Sequence, residues 1–409
     1  MDLFKISEGK YKFKDNKIEG GAFSNIYDIE NNSPPNLLAN NKSSNKSSNN
    51  KKLIQKYVVK LHKYKYKQEA INEINSLLKL KKNKKKYKES LQTLLPNLVH
   101  DTNKENFMKS KLIKIKDFYI KDDYIYTIFK KYDITLDDFN IQYNQQFNEI
   151  LPISLIKKLF NSLFIGLYEL HFSKLIHCDI KPNNILINLS KYKTVDSLFK
   201  DITNKKIKKE DIHKFIDIKI IDFNKTQRFK SIFKSVNIQT LYYTPPEIVL
   251  GNRNFNYSID IWAMMNIIHE LTTSLFLFDV FNENDLNGVN YINYNKSSEN
   301  SDNSENSDSC DSDSDESYSD EKMSNLALLY IYASKLGENK FIEGDYVNKY
   351  YSYGKLIGMS NVLIQPHSII ITHKNIDFVN KLLILFNRIY IYDIQNRITS
   401  EEIIRNYLF

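Results

Sequence analysis

Within IHCDIKPNNILIN, Ile176 to Asn188, the residues His177, Asp179, Lys181 and Asn184 stand at the spacing H-x-D-x-K-x-x-N. Those types at those intervals suit phosphoryl transfer. An aspartate on a loop can orient an attacking hydroxyl and accept its proton, a lysine two residues later can neutralise the moving phosphoryl group, and an asparagine beyond it can ligate Mg2+. Downstream, IKIIDFN sets Asp222 behind an apolar strand, where a second carboxylate can hold metal that bridges two phosphates. A chance H-x-D in a turn explains one such feature but not the ordered set.

Two upstream features fit the same chemistry less specifically. Lys60 lies inside the short apolar run YVVKLH, where a lone lysine is costly unless it is paired or reaches water. Glu73, in the helix-like EAINEI, is the expected partner, although a purely structural salt bridge reads the same. In KIEGGAFSNIYDIE a glycine pair lies between two β-like runs, and the backbone N–H groups of such a flap can approach a triphosphate. A simple hairpin turn has the same signature.

The elements that must carry these residues follow from periodicity. Before Lys131 come the β-like runs GKYKF, SNIYDIE, KYVVKLH and DYIYTIF, with the helical segment KQEAINEINSLLKL between the last two. After it come ISLIKKLFNSLFIGLYELHFS, YSIDIWAMMNIIHELTTS, LALLYIYASKLG and FVNKLLILFNRIYI, all of helical period. The expected class is α+β, a small β-rich lobe followed by a larger helical one, and no repeat points to a solenoid. Three stretches break the pattern and are expected to be loops: 31–52, polar and punctuated by proline; about 190–217, Lys-rich and partly compatible with helix; and about 282–324, rich in Ser, Asp, Glu and Asn.

The chain has 409 residues, 42% of them apolar and 13% aromatic, enough for a sizeable core. Its net charge is +9, yet ten acidic residues crowd between Glu299 and Glu321, so the remainder carries 9 + 10 = +19. Such a surface attracts nucleic acid, anionic membrane or acidic peptides. A Lys-rich solvated face is the simpler reading, and nucleic acid is expected only through non-specific attraction. Two cysteines, Cys178 and Cys310, exclude a disulfide framework or a multi-cysteine zinc site. The start MDLFKISEGKYKF has no signal-peptide pattern, and no apolar run approaches the ~18 residues of a membrane span. A soluble, intracellular protein without membrane contact is expected. Heavy use of Asn, Lys, Ile and Tyr with only 10 Gly suggests an A+T-rich genome, such as that of a giant virus or protist.

Taken in order, the motifs resemble the eukaryotic-type protein kinases over nearly the whole chain outside the three stretches. GGAFSNIY resembles the glycine-rich loop, Lys60 the strand lysine, Glu73 its helix partner, HCDIKPNN the catalytic loop and DFN the metal-binding triplet. YYTPPEI, SIDIWAM and DIQNRITSEEIIRNYLF follow where the activation segment ends and the last helices lie. The resemblance implies the bilobal kinase fold, with lobes at 10–131 and 132–409. It implies catalytic roles for Asp179, Lys181 and Thr240, and ATP contacts from Ile18, Gly20, Gly21, Ala22, Phe23, Ile26, Lys60, Glu73 and Phe129. Asn184 and Asp222 would ligate Mg2+, with Mn2+ the alternative. It also implies structural roles for a Glu247–Arg397 pair and for Asp260, which would brace the catalytic loop. Lys181 and Thr240 match the serine/threonine kinases, so a protein Ser or Thr hydroxyl is the expected acceptor. Within the family the likeness is to the SR-protein kinase (CMGC-like) group, which makes Arg/Ser-rich proteins candidate substrates, although Thr244 stands where that group has an arginine.

Four departures matter. Glu19 and Ser24 replace the outer glycines of the flap, and Asn224 replaces the glycine of the triplet, where its tolerance of positive φ would preserve the backbone shape. Cys178 replaces the arginine that in many kinases reads the activation-loop phosphate. A small apolar packing role is expected for it, and hence activity without phosphorylation of Thr226, Ser231 or Ser235. The competing reading is a pseudokinase scaffold. The acidic stretch is expected to be a solvated spacer, with a substrate-mimicking or phosphorylated segment as the alternatives.

Overall fold

The computed structural model describes residues 3–20, 24–31, 56–96, 108–121, 123–231, 238–279, 313–337, 339–340, 342–352, 355–356 and 375–409. Strands β1 (Tyr11–Gly20), β2 (Ser24–Asn31), β3 (Tyr57–His62), β4 (Ile115–Lys121) and β5 (Tyr124–Lys130) form one antiparallel sheet in the order β1-β2-β3-β5-β4. Alternation along the strands gives the sheet two faces. Tyr11, Ile29, Tyr57, Val59, Tyr126 and Ile128 pack into a small core that also takes Leu3 of the short helix α1 (Leu3–Ile6). Lys60 sits on central β3, opposite Ile26 on one side and Thr127 on the other. Strand β4 was absent from the expected set because it is an edge strand with no fully buried residue, so composition gives it little signal.

Helix α2 (Lys67–Leu94) extends well past the expected segment. Its lysine-rich half conceals a stripe at Leu80, Tyr87, Leu91 and Leu94 that is buried in the main core; the Tyr87 ring lies 5.9 Å from that of Tyr168 and 6.2 Å from that of Phe172. Helices α3 (Leu136–Phe147) and α4 (Ile153–Phe172) follow. Helix α4 is apolar nearly all round, and it is buried accordingly. The short strands β6 (Ile134–Thr135), β8 (Ile185–Leu189) and β9 (Ile216–Ile220) form a small sheet in the order β6-β8-β9, and β7 (Leu175–Ile176) pairs separately.

Two of the three expected loops are corrected by the fold. In 190–217, helix α5 (Val195–Thr203) opens with a reciprocal Thr194/Ser197 capping box and buries Val195, Leu198, Phe199 and Ile202. Phe199 packs 5.8 Å from Phe139 and 5.3 Å from Phe147. That i, i+3, i+4, i+7 stripe stands among lysines and asparagines that mask it in a composition reading. In 282–324, residues from Asp313 onward belong to a helix that continues to Leu336 and buries Leu328, Ile331 and Tyr332. Once nucleated by packing, a helix adds a backbone hydrogen bond for each residue, which carries it into the acidic tract. Residues 280–312, like 32–55 of the first stretch, lie outside the described residues.

The helical lobe centres on α7 (Ser258–Thr273), reached after α6 (Pro246–Val249) and buried on almost every face. The stretch from Asp313 to Leu336 is α8; α9 (Ile376–Ile389) and α10 (Ser400–Asn406) complete the chain. Trp262 of α7 stacks on Phe278 at 5.4 Å and meets Tyr332 of α8 edge-on at 5.6 Å.

Burial pushes the imidazole of His269, on α7, down from 6.5 to about 4, although its Nδ1 donates to the Leu275 carbonyl at 3.1 Å. The unfolded chain takes up a proton near pH 6.5 that the folded chain refuses until about 4. This residue's share of stability is therefore complete above pH 6.5 and is lost as pH falls through that window, by up to about 1.4 kcal/mol per pH unit. His269→Gln should flatten the decline of the urea-unfolding free energy between about pH 7 and about pH 5. An unchanged slope would contradict the assignment.

Candidate active site

The loop between β7 and β8 is held from below by α7. Asp260 has no exposure; its Oδ2 accepts from the His177 backbone N–H at 2.8 Å and its Oδ1 from that of Cys178 at 3.0 Å. His171 Nε2 adds a contact to Oδ2 at 3.1 Å. These bonds hold Cys178 at φ +67°, a left-handed conformation that costs a non-glycine residue roughly 1–2 kcal/mol. Its side chain packs with Ile176, Ile238, Ile248, Phe255 and Ile259, the small apolar role expected for it. The Cys178 carbonyl accepts from the Gln239 N–H at 2.8 Å, a backbone link from the loop to the 238–244 segment.

The brace delivers Asp179 into a ring of donors. Thr240 Oγ1 donates to Asp179 Oδ1 at 3.1 Å and accepts from Lys181 Nζ at 3.1 Å, while that ammonium stands 3.6 Å from Asp179 Oδ2. Asn184 Nδ2 donates to the Asp179 carbonyl at 2.8 Å and to its Oδ2 at 3.3 Å. Thr244 turns inward, its hydroxyl donating to the Thr240 carbonyl at 2.9 Å.

Opposite this ring, Lys60 Nζ lies 2.8 Å from Asp222 Oδ1 and 3.1 Å from Glu73 Oε2. The pair expected from the sequence is thus one arm of a triad. Burial disfavours the ammonium, but the Asp222 and Glu73 charges outweigh it and the Lys60 pKa is raised. Burial likewise acts against the Asp222 carboxylate, and Lys60 prevails, holding it below its usual range. For fully enclosed Glu73, burial outweighs Lys60 and raises its pKa. His62 lies 3.6 Å from Glu73 Oε2, but burial and then Lys60 push its pKa down to about 3, so it is a neutral neighbour; its Nε2 meets Thr127 Oγ1 at 3.0 Å.

Asp222, rather than Asn224, takes the left-handed backbone, with φ +66°. The φ tolerance expected to justify Asn224 is therefore not called on. Asn224 is buried, and its carbonyl accepts from Asn72 Nδ2 at 2.9 Å.

Lys60, Glu73, Asp179, Lys181, Asn184, Asp222 and Thr240 gather in one place, since the Lys181 charge acts on Asp222 and the Asn184 carbonyl accepts from the Ile221 N–H at 2.9 Å. Ile26 lies beside them, directly opposite Lys60 on β2. Gly20 ends β1 opposite Asn25, and Ile18 is 46% exposed on the same strand. Gly21, Ala22 and Phe23 lie outside the described residues. Phe129 is buried on β5 in the core it shares with Leu77 and Leu80 of α2.

The chain matches the Protein kinase domain family model over residues 63–409. It belongs to the protein kinase family. The matched range starts after β3, so the flap and Lys60 enter through geometry rather than through that match. Among curated proteins, the chain is similar to the probable serine/threonine-protein kinase clkA of Dictyostelium discoideum, with 31% identity over 50% of this chain and 23% of that protein. It is similar to the serine/threonine-protein kinase AFC2 of Arabidopsis thaliana, with 27% identity over 49% of this chain and 46% of that protein. AFC1 of the same plant is 31% identical over 41% of this chain and 36% of that protein. The chain thus spans less than half the length of these relatives, and they agree with the CMGC-like resemblance.

The donor set fits Mg2+. With Asn184 Nδ2 committed to Asp179, the amide oxygen is the atom left for a cation, and Asp222 is held ionised. Both are hard oxygen donors. Among the described residues no cluster of three His, Cys, Asp or Glu could hold a metal alone, and Mg2+ usually combines one or two side chains with water and phosphate oxygens.

The site also holds residues that the sequence reading missed. Lys225 Nζ stands 3.8 Å from Asp179 Oδ2, and Asn72 reaches the segment after Asp222. Adjacency was the available signal: Lys225 follows DFN directly, and Asn72 precedes Glu73. The Glu247–Arg397 pair forms as expected, with Nη2 to Oε2 at 2.8 Å in a bidentate arrangement.

Proposed function

We propose that this domain, divided into lobes at 131/132, transfers the γ-phosphate of ATP to Ser or Thr hydroxyls of a protein substrate. The observation that carries the reading is the Asp179–Thr240–Lys181 triangle set close enough to the Lys60–Asp222–Glu73 triad for the Lys181 charge to act on Asp222. Asp179 orients the acceptor hydroxyl and takes its proton. Lys181 neutralises charge on the transferring group, and Thr240 fixes the angle between the two side chains. Lys60 positions phosphate oxygens from the sheet side, with Ile18, Gly20, Gly21, Ala22, Phe23, Ile26 and Phe129 forming the nucleotide site. Asn184 and Asp222 would hold Mg2+ or Mn2+, which when bound would offset the charge that builds on the phosphates. The curated relatives named for serine/threonine kinase activity support this acceptor class, and an Arg/Ser-rich protein is the substrate proposed first. No described helix is long and apolar enough to cross a membrane.

The test is labelled ATP with Mg2+ and Arg/Ser-rich, basic and acidic peptides. Transfer is expected; no transfer to any peptide would favour a scaffold, a reading motivated by Glu19 and Ser24 in the flap and by Asn224 in the triplet. A scaffold would also gain no melting temperature from ATP with Mg2+.

Activity is proposed to be independent of phosphate at Thr226, Ser231 and Ser235. Thr226 is 3% exposed, and Ser235 lies outside the described residues. The Thr226→Ala, Ser231→Ala, Ser235→Ala triple variant is expected to keep kcat/KM within about threefold of wild type, a change under roughly 1 kcal/mol. A silent triple variant would sink this point.

A further inference from the structure

We propose that Asn72 is a positioning residue that clamps the segment behind the metal-binding triplet, doing through backbone bonds what a phosphate read by an arginine does elsewhere. The inference rests on the kinase reading above and deepens it. Asn72 stands on α2 next to Glu73. Its Nδ2 donates to the Asn224 carbonyl at 2.9 Å and to the Thr226 carbonyl at 2.6 Å, which uses both amide hydrogens. Glu73 Oε1 accepts from the Phe223 N–H at 3.3 Å. Two adjacent residues of one helix thus grip three backbone sites between Phe223 and Thr226.

The grip falls on a buried, turning part of the segment. Asp222 is in the left-handed region, and Asn224 and Thr226 are each 3% exposed. Among the described residues, Asn224 Oδ1 and Thr226 Oγ1 have no hydrogen-bond partner. Buried carbonyls that lose a donor are not compensated by solvent.

The clamp reaches the reacting groups in two directions. The clamped carbonyls flank Lys225, whose ammonium lies 3.8 Å from Asp179 Oδ2. Immediately after Thr226, β10 (Gln227–Arg228) pairs with β7, the strand that leads into the catalytic loop, and the Phe229 N–H donates to the Lys174 carbonyl at 3.2 Å. Displacement of α2 would therefore disturb Asp222, Lys225 and the approach to Asp179 together. All of these bonds form on folding without a phosphate, which suits a loop whose arginine has become Cys178.

The test uses the full chain with Asn72→Ala, Asn72→Asp and Asn72→Ser. Aspartate preserves shape but replaces the doubly donating Nδ2 with an oxygen that repels both carbonyls. The expected order of kcat is wild type, Ser, Ala, Asp, with Asp reduced at least roughly tenfold while peptide KM changes far less. A packing role would instead leave Asp above Ala. Hydrogen exchange at the amides of 224–228 should accelerate in Ala and Asp. If wild type transfers phosphate and Asp matches it with unchanged exchange, the clamp is refuted while the kinase reading stands. If wild type transfers none, the kinase reading fails, and exchange still decides: faster exchange in Asp supports the clamp as a structural device, and unchanged exchange refutes it.

Discussion

Asp179→Asn is expected to lower kcat for phosphotransfer by about 10²–10⁴ while leaving the fold intact. The substitution is isosteric, and the brace on the loop comes from Asp260 through the backbone of His177 and Cys178, which the change does not touch. Lost are the proton acceptor and the acceptor pattern around it. Thr240 Oγ1, Asn184 Nδ2, Lys181 Nζ and Lys225 Nζ all approach the carboxylate, so an amide turns one donor toward others. KM for ATP should move little, because the Lys60–Asp222 contact lies apart from the substituted atom. Single-turnover transfer from labelled ATP measures this, and a variant as fast as wild type would remove Asp179 from the chemistry.

The largest expected stability effect belongs to Arg397→Ala. The Arg397 side chain has no exposure and that of Glu247 has 6%; the guanidinium makes a bidentate contact with the carboxylate, donates through Nε to the Ile391 carbonyl at 2.8 Å, and lies 4.7 Å from the Trp262 ring. Removing one partner of a buried pair leaves the other charged and unpaired, which costs about 3–5 kcal/mol. The melting temperature should fall by on the order of 10 °C. The control is the double variant Arg397→Leu, Glu247→Leu. Without an orphaned charge, it should lie well above Arg397→Ala, since apolar replacement of a whole buried pair is often nearly neutral. If the double variant were as unstable as Arg397→Ala, the pair would be stabilising in its own right rather than costly only when broken.

The chemistry-bearing residues could be read from sequence because phosphoryl transfer constrains residue type and short-range spacing together. Asp179, Lys181 and Asn184 share one loop, and their mutual geometry is largely local. The partners that arrive from a distance were harder to read. Asn72 and Glu73 are neighbours in sequence, but a carboxylate beside a strand lysine advertises a pair, whereas an asparagine that bonds backbone carbonyls leaves no mark in the sequence it binds. The elements that were missed or only half read have two causes. The second half of α2 and all of α5 keep a correct apolar stripe inside lysine- and asparagine-rich composition, and β4 is an edge strand with little to bury. Composition hid elements that periodicity retained. Asn224 shows a limit of another kind: the residue was assigned a backbone role by position in the triplet, while the strained φ belongs two residues earlier, at Asp222.

The decisive measurement is phosphotransfer by protein whose Ser, Thr and Tyr residues have been shown by mass spectrometry to carry no phosphate, scored in the first turnover with ATP, Mg2+ and an Arg/Ser-rich peptide. The expected result is full transfer from the first turnover with no lag, and its loss in Asp179→Asn. A lag that disappears after prior phosphorylation, or transfer that survives in Asp179→Asn, would contradict a site assembled by Asp260, Thr240 and Asn72 alone.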